Sequence, residues 1–63
     1  MFYPERPNPQ HTVGAFVKDV YQGIQGEVKA VEWSYTFGTW AYKILQPSGG
    51  EVWVYQGHFL RSL

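Results

Sequence analysis

The sequence predicts an all-β fold, a five-stranded small barrel, and three observations carry that expectation. β-branched and aromatic residues recur in short runs from Val13 onward, separated by breaks that contain glycine. No run shows the apolar spacing of an amphipathic helix. The segment Gln46-Pro47-Ser48-Gly49-Gly50 is a turn by its chemistry, because proline fixes one dihedral and the two glycines admit positive φ.

Residues 1–12 hold Pro4, Pro7 and Pro9 with Asn8 and His11, a composition that supports neither helix nor strand pairing along its length. They read as an extended arm. Phe2 and Tyr3 are its candidate anchors, on the barrel or on a neighbouring chain, and disorder of the arm is the alternative.

The barrel domain is then 13–63. Its first strand is expected over 13–18, followed by a loop over 19–25 that contains Gly23. Gly26 opens the second strand, 27–33, in which Val28 and Val31 supply core contacts. These valines are three apart, so a bulge or sharp twist is expected between them. A connection over 34–38 leads to a third strand, 39–45, and the proline-glycine turn leads to a fourth, 51–55. Gln56-Gly57-His58-Phe59 reads as a short helical turn before a last strand over 60–63.

Sixty-three residues make one domain, and a chain of this size buries only about 60% of its unfolded surface. Such folds lean on disulfides, a metal or oligomerisation; with no cysteine present, oligomerisation is the support left. Five Lys and Arg balance five Asp and Glu, and no basic stripe is present, which argues against a bare phosphate backbone as partner. No apolar run approaches the roughly 18 residues of a membrane span, and no basic segment leads into an apolar one, so a soluble, untargeted, cytoplasmic chain is expected.

The aromatic content sets the functional question. Three Trp, five Tyr and four Phe accompany only five Leu and Ile. Aromatics either replace the missing aliphatic core or face a partner, since exposed apolar clusters mark interaction surfaces. On a strand with period two, Val52 and Val54 would point inward and leave Trp53 and Tyr55 outside. Trp33, Tyr35, Phe37 and Trp40 from neighbouring strands and loop are candidates to join them as one binding face.

Gly14-Ala15-Phe16-Val17, Gly26-Glu27-Val28, Val52-Trp53-Val54-Tyr55 and Leu60 give the chain a motif spacing. With it, the chain resembles a Src-homology-3-like small barrel, and most closely the plasmid-borne type II dihydrofolate reductases. The resemblance implies a homotetramer with a central pore that binds NADPH and the pterin, with Tyr55 and Lys18 as the cofactor-binding residues. The chain departs from that pattern at two places. Trp53 stands where the family has a pore glutamine, and an indole lacks the amide's donor and acceptor pair. Asp19 follows Lys18 where the family is basic, and a carboxylate repels anionic ligands.

Other chemistry finds little footing. His11 and His58 have no cysteine beside them and are far apart in sequence, so no metal site is expected. Ser34, Ser48 and Ser62 lack a nucleophile signature. Ser48-Gly49-Gly50 lacks the lysine and helix of a phosphate loop. Glu27, Glu32 and Glu51 are expected to pair with Lys29 and Lys43 across strands rather than to act as acids and bases.

The leading expectation is therefore a non-enzymatic interaction module with no cofactor, which self-associates or docks on a protein partner through exposed aromatics. The NADPH-dependent reductase is the alternative, and a nucleic-acid-binding barrel the second alternative, supported by stacking aromatics and opposed by the neutral charge.

Overall fold

The computed structural model describes residues 6–57 and 59–63. Phe2, Tyr3 and His58 lie outside them. Five strands form in chain order: β1 (Phe16–Asp19), β2 (Ile24–Ser34), β3 (Thr39–Leu45), β4 (Glu51–Tyr55) and β5 (Leu60–Ser62). They make one antiparallel sheet in the order β4-β3-β2-β1-β5. The expected all-β class is what the chain adopts.

The eleven-residue β2 organises the sheet. Its first part pairs with β1, from Asp19 opposite Ile24 to Phe16 opposite Glu27, and its remainder pairs with β3, from Glu27 opposite Leu45 to Ser34 opposite Thr39. At the change of partner sits Gly26, whose position leaves no room for a side chain: a Cβ there would lie 1.9 Å from the Leu45 carbonyl oxygen. Glycine lets β2 run against the β3 backbone while it also serves β1.

A bulge follows at Lys29. Val28 faces Ile44 and Ala30 faces Lys43, so one extra residue is inserted in β2. The three-residue spacing of Val28 and Val31 required this: with the bulge both valines lie on the face that carries the core.

The core takes a buried side chain from every strand: Val17, Val28, Tyr42 with Ile44, Val54 and Leu60. Ala15, Ile24, Val31, Trp40 and Val52 pack around it. Fully burying a side chain of this kind contributes about 1.5–3 kcal/mol, which is the principal favourable term available to so short a chain. The opposite face is open to solvent.

The sheet is not closed into a barrel. β4 and β5 are its two edges, and the three residues of β5 pair only with β1 among the described residues. Among the described residues no helix precedes β5. The described residues between β4 and β5 form a bend and a turn, with the Leu60 N–H donating to the Gly57 carbonyl at 3.1 Å.

The first strand begins later than its residue types suggest. A turn over residues 12–15, closed by the Ala15 N–H to the Thr12 carbonyl at 3.0 Å, takes up the start of the expected strand. Conversely β2 begins earlier, because Asp19 makes the following loop tight. Its carboxylate accepts the backbone N–H groups of Tyr21 at 2.9 Å and Gln22 at 3.0 Å, and its carbonyl accepts that of Gly23 at 2.7 Å. Asp19 is thus engaged as a turn former.

Candidate functional site

The β3–β4 register fixes which side chains share a face. Tyr42 opposite Val54 and Ile44 opposite Val52 point into the core, so Trp53 opposite Lys43 and Tyr55 opposite Ala41 point outward, as period-two geometry requires. The β2–β3 turn adds Phe37, whose ring packs on Tyr55 with centroids 4.8 Å apart at 59°. Ala41 is buried on this face beside Tyr55. Phe37, Trp53 and Tyr55 stay 65%, 43% and 45% exposed. The strip is flanked by Glu32 and by the Lys43–Glu51 ion pair at 3.4 Å. Lys29 pairs with Glu27 on its own strand at 3.3 Å.

Trp33 and Trp40 do not join this strip. They are register partners two residues beyond Val31 and Tyr42, hence on the core face. The bulge at Lys29 reverses the parity of everything after it in β2 and turns Trp33 inward. The two indoles meet edge to face at 5.3 Å and 82°. Tyr35 stands in the adjoining turn.

What covers this second aromatic group is the chain's own arm. The Arg6 guanidinium lies over Trp33 at 5.3 Å and over Tyr35 at 5.0 Å, and it donates to the Tyr35 hydroxyl. The Trp40 indole N–H donates to the Pro7 carbonyl at 2.6 Å. The Gln10 N–H donates to the Tyr42 hydroxyl and to the Gln56 amide oxygen, each at 3.1 Å, and the Tyr42 hydroxyl donates to that same oxygen at 2.5 Å. His11 is buried with its ring edge-on to Tyr42 at 5.3 Å. The described part of the arm, from Arg6 on, is extended and docked; the expected anchors Phe2 and Tyr3 lie outside the described residues.

Burial pushes the Tyr42 phenol above its ordinary value of 10.0, and the backbone N–H groups of His11 and Gln10 offset part of that rise. The sign of the linkage follows. The unfolded phenol ionises first, so the contribution is intact below pH 10 and is lost as pH rises toward the folded value. The urea midpoint is expected to fall between neutral pH and about pH 11, and Tyr42→Phe should flatten that fall; an equally steep fall in the variant would assign it elsewhere.

Lys18 is on β1, opposite Gln25 and Arg61, while Tyr55 is on β4. Two strands intervene, about 14 Å of sheet at standard strand spacing, so one chain does not bring this pair together. A separate open cleft of about 460 Å³ lies between Phe16, Gln25 and Glu27 on one side and Leu45, Gln46 and Pro47 on the other. Among the described residues no three His, Cys, Asp or Glu gather as metal ligands, and no helix is long and apolar enough to cross a membrane.

No family model, no curated protein and no solved structure matches this chain. The site is therefore read from its own geometry. The sequence reading missed Arg6, Pro7, Gln10, His11, Tyr42 and Gln56 as parts of one network. The signal available to it was a proline-containing segment led by an arginine in a chain rich in aromatics, a pairing known to be favourable.

Proposed function

We propose that the chain is a non-enzymatic interaction module that associates, with itself or with another protein, through the outer strip of Phe37, Trp53 and Tyr55. The observation that carries this reading is that Trp53 and Tyr55, on the solvent face of the edge strand β4, stand together with Phe37 of the β2–β3 turn, rimmed by charge. That composition, aromatic centre and polar rim, is the anatomy of a protein interface. Because β4 is an edge of the sheet, a second chain also has backbone groups to pair with beside the strip. Five short antiparallel strands wrapped on one side of one small core support the Src-homology-3-like reading, with the sheet left open. A soluble, cytoplasmic protein is the setting we infer.

Light scattering over a concentration series tests the strip. Wild type is expected to form dimers or larger assemblies, and Trp53→Ala to shift association to at least about tenfold higher concentration with an unchanged β-sheet spectrum. Association equal in wild type and variant would overturn the assignment.

The type II reductase stays as a second reading on one observation, the outward parity of Trp53 and Tyr55 on β4, which a pore between copies needs. It requires a tetramer that oxidises NADPH with dihydrofolate. A monomeric chain, or a tetramer without that turnover, would remove it. Nucleic-acid binding would rest on the same aromatics and would show a steep loss of affinity with salt.

A further inference from the structure

The second aromatic group, on the core face, has a different occupant and a different chemistry. We propose that the groove of Trp33, Tyr35, Trp40 and Tyr42 is a receptor for an extended proline-containing segment of a partner protein led by arginine, and that residues 6–11 occupy it in reserve.

The arm itself shows what the groove accepts. Pro7-Asn8-Pro9 has fixed φ at two positions and lies outside the strands, so its carbonyls are not committed to a sheet ladder and can be read singly. One of them takes the Trp40 indole N–H. The preceding Arg6 places its guanidinium between the faces of Trp33 and Tyr35. One backbone N–H further on, that of Gln10, is read by the Tyr42 hydroxyl and Gln56. Aromatic walls around an extended proline-containing segment are a mode of peptide recognition, and this groove adds a donor for a carbonyl and a seat for the flanking cation.

The arm is also only partly buried by its docking. Arg6, Pro7, Asn8 and Gln10 stay exposed although docked. His11 is buried, yet neither ring nitrogen has a hydrogen-bond partner among the described residues, a cost that opposes docking. A segment with an Arg-Pro-x-Pro start but no buried histidine would fill the same contacts without that cost. Tethering is what favours the arm, since a short linker supplies an effective concentration of about millimolar.

The test titrates a capped Arg-Pro-Asn-Pro-Gln-His peptide into the full chain while the indole N–H resonances are followed by NMR. Arg6→Ala loosens the arm and leaves the groove intact. If the arm fills the groove about nine-tenths of the time, the peptide should bind the Arg6→Ala chain roughly tenfold tighter than wild type. The Trp40 indole should shift and that of Trp53 should not, which keeps this groove distinct from the outer strip. Adding Trp40→Phe, which keeps a smaller aromatic ring and removes the donor, should weaken binding at least about fivefold. No saturable shift at Trp40 in the Arg6→Ala chain would overturn the proposal, as would an equal response to a peptide with both prolines replaced by alanine. Dimers of the Arg6→Ala chain that exchange arms and exclude the peptide would reassign the groove to a second copy.

Discussion

Gly26→Ala is expected to unfold most of the protein. The added Cβ would lie 1.9 Å from the Leu45 carbonyl oxygen and 2.7 Å from its carbonyl carbon, both backbone atoms that no rotamer change can move aside. Relief requires β2 to separate from β3 where Glu27 faces Leu45 and Val28 faces Ile44, next to two fully buried core residues. Backbone φ at Gly26 is +155°, a conformation that adds strain for any L side chain. Overpacking alone costs about 1–3 kcal/mol, and the loss of ladder bonds brings the total to about 3 kcal/mol or more. A single core of this size supplies only about 3–5 kcal/mol. The melting temperature should fall by at least about 12 °C. Gly50→Ala is the control, because a Cβ there meets nothing within 4 Å. It should stay within about 0.5 kcal/mol of wild type. A Gly26→Ala chain that melts with the control would mean that β2 and β3 are not in close approach at this point.

Much of this sheet was legible in the residues, for physical reasons that also mark where legibility stops. β3 and β4 have the bounds expected of them because each alternates cleanly and the Gln46–Gly50 turn separates them by rigid local chemistry. The inward parity of Val52 and Val54, and hence the outward parity of Trp53 and Tyr55, follows from the same alternation. The bulge was legible too, since Val28 and Val31 cannot share a face without it. Its consequence for Trp33 was not drawn: one inserted residue turns the remainder of β2 over and moves that indole from the outer face to the groove. The arm contacts lay further out of reach. They join residues 29 to 46 positions apart, through two hydroxyls, one indole and one amide. Nothing periodic encodes such contacts; they depend on where the folded sheet places single polar atoms.

Tyr42 is where core and groove meet, and its two substitutions should separate those roles. Its ring is fully buried among Val17, Val28, Ile44 and Val54, while its hydroxyl reaches the Gln10 N–H and the Gln56 amide oxygen. Tyr42→Ala removes both and leaves a cavity that five short strands cannot close. The expected loss of about 3–5 kcal/mol equals the whole stability of such a domain, so this variant should be unfolded at room temperature. Tyr42→Phe keeps the ring and deletes only the hydroxyl. It should cost about 1–2 kcal/mol, because the Gln10 N–H loses one of two acceptors and the Gln56 oxygen keeps a single donor. The sheet should persist while the arm loosens, read as faster hydrogen exchange at Gln10 with unchanged protection at Ile44 and Val54. A cycle of Tyr42→Phe with Gln56→Ala should return a coupling of about 0.5–1.5 kcal/mol. Zero coupling, or a Tyr42→Phe chain that holds its arm as tightly as wild type, would show that the Tyr42 hydroxyl does not hold the arm. The outcome matters for the groove, since a hydroxyl shared between core and arm makes core stability sensitive to whatever segment occupies that groove. A peptide that displaces the arm binds the folded chain and should therefore raise the melting temperature, more for one that restores the same Tyr42 hydrogen bond than for one that leaves the hydroxyl without the N–H, because the first binds more tightly.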